Sequence, residues 1–159
     1  MYIYNPKRSS KAHIILPICF ILMGTLALMA GSIGPLPAFI MQALAIVCMA
    51  LAIHVISRYS LTDHTYEADS EKRVLNIRKI MGKKISLVAA IDYRDIIAID
   101  KKDKDYSLKE KYNKTYKIYN FCNNILAADP YCLVCSIEGE DIAVIIEADK
   151  ILLDILERR

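Results

Sequence analysis

The residues best suited to chemistry in this chain are cysteines and histidines, and their spacing is informative. Cys132 and Cys135 have the CxxC spacing that occurs in redox pairs and zinc sites. Their segment has the pattern of a strand, however, and a separation of three places two thiols on opposite faces of a strand. A redox thiolate favours a helix N-terminus, and zinc needs further ligands. We therefore interpret both residues as buried structural cysteines and predict no metal site and no cofactor.

The histidines give no stronger indication of catalysis. His13 and His54 lie in or beside a long apolar stretch, while His64 stands on a predicted strand with Asp63 and Asp69 nearby in sequence. We interpret His64 as a surface residue. The sequence contains no phosphate-binding loop, nucleophile elbow or HExxH motif. These observations predict that the protein has no catalytic residues and is not an enzyme.

The long apolar stretch predicts a membrane anchor. Residues 12–57 contain no Lys, Arg, Asp or Glu, and all 18 acidic residues lie at Asp63 or later, which excludes an ordinary soluble globule. A bilayer core needs about 20 apolar helical residues, so this stretch suits two spans separated by the break at Gly34, Pro35 and Pro37. We predict a two-helix transmembrane hairpin over residues 12–57, with helices at about 13–30 and 36–57. Ala27 with Gly31, and Cys48 with Ala52, are small pairs suited to packing the two helices together.

A cleaved signal peptide is the alternative for the first segment. Cleavage after Ala30 would place Leu28 at a position where the peptidase requires a small residue, so we favour a retained hairpin. Cations flank the hairpin on both sides, while its connecting loop has no charge. The positive-inside rule therefore predicts a multi-pass cell-membrane protein with both termini in the cytoplasm, and residues 1–11 as a basic cytoplasmic tail.

Residues 58–159 have the pattern of a mainly-β cytoplasmic domain. Short runs rich in Ile, Val, Tyr and Thr alternate with polar turns. The candidate strands are Ser60–Glu67, Arg73–Ile80, Ile85–Ala90, Ile96–Lys101, Thr115–Phe121, Tyr131–Ile137 and Asp141–Glu147. Ile85, Leu87 and Ala89 share one face, and Gly82 and Gly139 mark hairpin turns. The chain ends in an amphipathic helix for which Asp149 is the candidate N-cap.

This arrangement resembles the bacterial PH-like (pleckstrin-homology-like) membrane proteins. The resemblance rests on Arg58-Tyr59-Ser60-Leu61-Thr62 directly after the second span, on the Ile-Ser-Leu to Ile-Ile-Ala-Ile run at 85–99, and on the closing segment at 148–156. It implies a PH-like barrel of about seven antiparallel strands with a C-terminal capping helix. Phosphoinositide-binding PH domains carry clustered Lys and Arg on their first two strands and on the loop between them. The corresponding segment here, Ala68–Lys72, has mixed charge, so the resemblance does not imply headgroup recognition by that route.

The charge distribution indicates which surfaces could meet a membrane. From Arg58 onward the chain has 18 cations and 18 anions, and this balance argues against nucleic-acid binding. Residues 101–117 nevertheless contain seven Lys, and a second basic cluster lies near residues 78–84. A cation near an anionic leaflet gains about 1 kcal/mol, but we slightly favour the alternative that these lysines lie in a solvated loop between strands. The candidate membrane-contact residues are Lys7, Arg8, Lys11, Arg58, Lys101, Lys102 and Lys104.

The sequence therefore predicts a non-enzymatic integral membrane protein with an adaptor or accessory role. We expect its PH-like domain to bind a protein partner or the inner membrane surface. The expected partners are membrane lipids and a membrane protein or a second copy of the chain. The alternative is that the barrel binds a lipid or a small ligand at Tyr-lined positions.

Overall fold

The computed structural model describes residues 1–8, 11–33, 37–103, 105–127 and 129–158. The chain forms two compact units. One unit is Ser9–Thr62, and the other combines Met1–Arg8 with Asp63–Arg159. We call them the helical unit and the β domain and describe each by itself.

The helical unit consists of two apolar helices, as the sequence predicted. Helix α1 is Ala12–Ile33 and helix α2 is Ala38–Val55, which continues through a π-helical turn at Ile56–Ser60. Candidate membrane spans cover Ala12–Ser32 and Ala38–Ser60, each with a mean hydropathy of 2.4. The predicted break at Gly34 and Pro35 lies outside the described residues. The unit thus has two candidate membrane-spanning helices, and their orientation stays a prediction.

Small residues let α1 and α2 approach closely. Ala27, Ala45, Cys48 and Ala52 are buried. A Cβ atom added to Gly31 would lie 2.7 Å from the Cβ atom of Met41 on the facing helix. The prediction that small residues pack this hairpin against itself is confirmed.

The first sheet of the β domain has the order β1-β2-β3-β4, and neighbouring strands are antiparallel. Its strands are β1 (Tyr2–Tyr4), β2 (Asp63–Asp69), β3 (Val74–Met81) and β4 (Lys84–Asp92). Gly82 adopts a φ of 59° in the tight turn between β3 and β4, so the predicted hairpin turn is confirmed. A bulge interrupts the pairing of β3 and β4 between Ile77 and Arg78. β4 is an edge strand of this sheet.

Strand β1 was not predicted, since residues 1–11 were expected to form a tail. Tyr2–Tyr4 pairs with β2, with Tyr4 opposite Tyr66. The Tyr2 hydroxyl donates to Asp149 at 2.5 Å, and Arg8 forms a 2.8 Å ion pair with Asp63. Three residues are too few to show a period in the sequence. The contacts that hold this segment come from residues more than 50 positions away.

The second sheet has the order β5-β7-β8-β6. Its strands are β5 (Ile96–Lys101), β6 (Lys117–Asn120), β7 (Pro130–Ile137) and β8 (Glu140–Glu147). A one-turn helix, α3 (Leu108–Tyr112), lies between β5 and β6. The expectation of antiparallel pairing throughout was wrong for β6, which runs parallel to β8. A parallel neighbour needs a crossover rather than a tight turn, and here the chain passes through residues 121–129 and β7 between β6 and β8.

One core joins both sheets and the C-terminal helix α4 (Lys150–Glu157). Leu75, Leu133 and Leu152 are fully buried in it, one from each layer. The Asp149 carboxylate accepts a hydrogen bond from the Leu152 amide at 2.9 Å, which confirms both the predicted N-cap and the predicted helix. The described strands thus form two mostly antiparallel sheets with a C-terminal helix. Closure of these sheets into a barrel stays a prediction.

Candidate functional site

The CxxC cysteines are buried on opposite sides of strand β7, as predicted. Cys135 belongs to the main core, and Cys132 belongs to a second apolar cluster on the other face of the sheet. Both residues are 0% exposed. Burial raises the pKa of the Cys132 thiol, which keeps it protonated near neutral pH. This geometry suits packing and not thiolate chemistry.

His64 was expected on the surface, and this prediction was wrong. The residue is 4% exposed, and its ring lies edge-on to Phe121, with 5.5 Å between the ring centres. Its backbone amide donates to the Asn123 side-chain oxygen at 2.6 Å, and Asn123 Nδ2 donates to the His64 carbonyl at 2.9 Å. Since Asn123 is 59 residues away, no local pattern around His64 could indicate this burial.

A polar network around Asn123 and Asn124 holds the N-terminal segment in place. Asn123 Nδ2 also donates to the Pro6 carbonyl at 3.3 Å, and Asn124 Nδ2 donates to the Lys7 carbonyl at 3.1 Å. The buried Glu147 carboxylate accepts from the Asn124 amide at 2.7 Å and from its side chain at 2.9 Å. These groups satisfy one another, so we assign the network a structural role.

The seven predicted membrane-contact residues are distributed over both units. In the helical unit Lys11 is exposed, and the Arg58 guanidinium lies over the Tyr59 ring at 5.1 Å. In the β domain Lys7 is exposed and Arg8 pairs with Asp63. Lys104 lies outside the described residues. Membrane contact by this set stays a prediction.

Most of the lysines in the segment 101–117 face carboxylates. Lys101 pairs with Asp129 at 2.8 Å, and Lys111 pairs with Asp100 at 2.6 Å. Lys114 and Lys117 pair with Asp141 and Glu140 at 3.0 and 3.7 Å. Lys102 is half-buried beside a cavity. The net positive charge of this segment is therefore largely offset by acids of the second sheet and by Asp129 directly before β7.

The end of the β3–β4 hairpin combines cations with exposed apolar side chains. We call this surface the hairpin tip and define it as Lys79, Met81, Lys83, Lys84, Ile85 and Leu87. Met81, Ile85 and Leu87 are 45%, 59% and 60% exposed. Within the described part of the chain, the three lysines have no acid within ion-pair distance, whereas the neighbouring Arg78 pairs with Glu67 at 2.8 Å. The hairpin tip is therefore both basic and apolar.

The sequence identified the cations of this hairpin but misjudged its apolar face. Ile85, Leu87 and Ala89 were expected to share one face of the strand. In the structure Ala89 packs against the core, while Ile85 and Leu87 are exposed. The bulge in the β3–β4 pairing explains the difference. Ala89 lies opposite the buried Ile77, whereas Leu87 lies opposite the exposed Arg78, so Ile85 and Leu87 face the other side of the sheet. Alternation places residues two apart on one face only where the pairing is regular, and a bulge shifts it.

The register of the first sheet fixes which end carries the hairpin tip. Asp63, where the chain enters β2 from Thr62, lies opposite Ile80, and Ile80 lies opposite Ile85. Chain direction in β1 leads Lys7 and Arg8 toward the same end, and the Arg8–Asp63 ion pair fixes them there. The hairpin tip thus lies at the end of the sheet where the chain arrives from helix α2.

A comparison with known families identifies the chain. The family described as Bacterial PH-like domain (DUF6106) matches residues 4–158. The chain belongs to this family. The family match begins at the last residue of β1, includes both apolar helices and ends one residue after α4, so this PH-like family includes the helical unit as well as the β domain. No curated protein and no solved structure is similar enough to the chain to count as a match.

Proposed function

We propose that this PH-like protein is a non-enzymatic integral membrane protein whose β domain contacts the anionic inner leaflet through the hairpin tip. Both termini would then lie in the cytoplasm. The observation that carries the proposal is the combination of three lysines with three exposed apolar side chains at the sheet end joined to α2. Interfacial membrane contacts commonly combine these two features.

Both the lysines and the exposed apolar side chains of the hairpin tip favour contact with an anionic leaflet. Lysines near an anionic leaflet gain about 1 kcal/mol each, so Lys79, Lys83 and Lys84 together would contribute about 3 kcal/mol. Fully burying a side chain the size of Met81, Ile85 or Leu87 contributes roughly 1.5–3 kcal/mol. These energies are modest, but the α2 tether makes the contact intramolecular and raises its effective concentration.

A protein partner that adds a strand to β4 is the other use of this surface. Strand addition requires an accessible, regular edge. Here a bulge interrupts the β3–β4 pairing, and Lys83 and Lys84 flank the start of the edge strand. Bulges and edge lysines are features that discourage strand pairing. We therefore favour the membrane surface and treat a protein partner as an outcome of the test.

The test uses the fact that the chain has no Trp. A Met81→Trp variant of the full chain introduces a single indole at the hairpin tip. Ile151→Trp is the matched control, because Ile151 is 55% exposed on α4. It lies two residues from Asp149, whose hydrogen bond to Tyr2 places it at the end of the first sheet opposite the hairpin tip. Both variants are reconstituted into vesicles of phosphatidylcholine with brominated phosphatidylglycerol, which quenches indole on contact.

We expect blue-shifted emission and strong bromine quenching for Met81→Trp, and weak quenching for Ile151→Trp. Adding Lys79→Glu, Lys83→Glu and Lys84→Glu should reduce the quenching, whereas Lys72→Glu with Lys150→Glu should leave it unchanged. Equal quenching at both positions, or quenching that is insensitive to the three hairpin charges, would show that the hairpin tip does not dock on the leaflet.

A further inference from the structure

A cavity of about 360 Å³ lies on the face of the second sheet that is turned away from the main core. Cys132 and Ile145 form part of its wall from β7 and β8. Leu108 of α3, Tyr116 and the 58% exposed Ile118 complete an apolar lining. The volume lies at the lower end of the range of roughly 300–1,000 Å³ that is typical of small-molecule sites.

The helical turn beside the cavity is held by Asp100. This carboxylate accepts hydrogen bonds from the Tyr106 hydroxyl at 2.9 Å and from the Tyr112 hydroxyl at 2.6 Å, and it pairs with Lys111 at 2.6 Å. Burial opposes ionisation of Asp100, but the bonds from Lys111 and the two tyrosines outweigh it and lower the pKa of the carboxyl. An ionised Asp100 therefore keeps α3 in position, so that the cavity is pre-formed.

Cations line the cavity on its polar side. Lys102, Lys109 and Lys114 contribute to it, and none of the described lining residues is acidic. Lys114 is already paired with Asp141 at 3.0 Å. Lys102 and Lys109 are therefore the cations best placed to meet a bound anion. Apolar walls with cations at one side are complementary to a molecule with an apolar chain and an anionic head.

We infer that this cavity binds an unesterified fatty acid. Its carboxylate would meet Lys102 and Lys109, and its acyl chain would lie against Leu108, Ile118 and Ile145. A second cavity of about 570 Å³ shares Lys102 and Ile145 with the first, which provides room for a longer chain. This site is on the second sheet, whereas the hairpin tip belongs to the first, so the inference does not depend on the proposed function.

The experiment places the only Trp of the full chain in the cavity wall with Ile118→Trp. The variant, held in an amphipathic polymer without lipid, is titrated with decanoate, with decyltrimethylammonium and with decanol. We expect a saturable change in Trp emission with decanoate. Adding Lys102→Glu and Lys109→Glu should weaken decanoate binding at least about tenfold, the loss expected when one charge-assisted hydrogen bond is removed. Lys72→Glu with Lys150→Glu is the charge-matched control and should not change it.

Calorimetry of the unsubstituted chain with decanoate provides a second measurement, in case Ile118→Trp disturbs the cavity. Saturable heat that disappears with Lys102→Glu and Lys109→Glu supports the inference. No saturable response in either measurement would overturn it, as would equal binding of the cationic amphiphile. Mass spectrometry of lipid retained on the purified protein should detect free fatty acid, and a stoichiometric diacyl phospholipid in its place would overturn the choice of ligand.

Discussion

Asn123 provides a demanding test of the fold, because its side chain makes the backbone hydrogen bonds that a neighbouring strand would otherwise make. Strand β1 pairs with β2 only over Tyr66–Ala68. Beyond that point the amide and carbonyl of His64 are bonded by the Asn123 side chain, at 2.6 and 2.9 Å. Asn123 is 1% exposed and also donates to the Pro6 carbonyl at 3.3 Å. Replacing it by Ala removes the partners of these groups without removing an apolar contact of comparable size.

The expected loss can be worked from those contacts. Leaving a buried backbone group without a partner costs about 1–3 kcal/mol. His64 is 4% exposed, so both its amide and its carbonyl count as buried. With the middle of that range for each group, the free energy of unfolding should fall by roughly 4 kcal/mol in total. Domains of this kind are stable by about 5–15 kcal/mol, so Asn123→Ala should remove a large share of the total. With a urea m-value of about 2 kcal/mol/M, the unfolding midpoint should fall by about 2 M.

The assay is urea unfolding of the full chain in detergent, followed by the near-ultraviolet circular dichroism of its tyrosines. Asn76→Ala is the matched control, because Asn76 is a half-buried strand residue of the same type, and its midpoint should shift by less than about 0.5 M. If Asn123→Ala shifts the midpoint no more than Asn76→Ala does, the Asn123 side chain does not complete the hydrogen bonding of β2.

Two further predictions concern the helices and the N-terminal strand. Gly31→Ala should destabilise helix pairing by about 1–3 kcal/mol, because the added Cβ would lie 2.7 Å from the Met41 Cβ atom. Gly24→Ala is the control and should be tolerated, because the nearest atom to its added Cβ is 3.4 Å away. Thermal unfolding of both variants in detergent measures the difference. Equal melting temperatures for the two variants would contradict the close approach at Gly31. The hydrogen bond to Asp149 raises the pKa of Tyr2 to about 12. The contribution of this hydrogen bond to stability should be complete below the unfolded-state tyrosine pKa of about 10 and should be lost as the pH rises toward 12. The unfolding midpoints of the unsubstituted chain and Tyr2→Phe should therefore differ at pH 9 and converge by pH 12, and a gap that does not depend on pH would rule out this linkage.

Local patterns in the sequence were sufficient for the elements that depend on local physics. The two apolar helices follow from uninterrupted apolar length, and the hairpin turns follow from glycines at Gly82 and Gly139, which adopt φ values of 59° and 85°. Helix α4 follows from its apolar spacing and from Asp149 as its N-cap. Each of these signals lies within a few residues of the structure that it specifies.

The features that the sequence did not indicate depend on distant partners. Strand β1 is three residues long and is held by Tyr66 and Asp149. The burial of His64 depends on Asn123, and the parallel pairing of β6 depends on where the chain returns after α3. The candidate site was found only in part. The cations of the hairpin are visible in the sequence, whereas the exposure of Ile85 and Leu87 depends on the bulge in the β3–β4 pairing.

The most direct test of the central claim is to identify what touches the hairpin tip in native membranes. A photoreactive phenylalanine analogue at position 81 in the full chain is irradiated in cells, and the crosslinked species are identified by mass spectrometry. The account predicts phospholipid adducts at this position that decrease when Lys79, Lys83 and Lys84 are replaced by Glu. A stoichiometric protein adduct, or adducts that are unaffected by those charges, would contradict it.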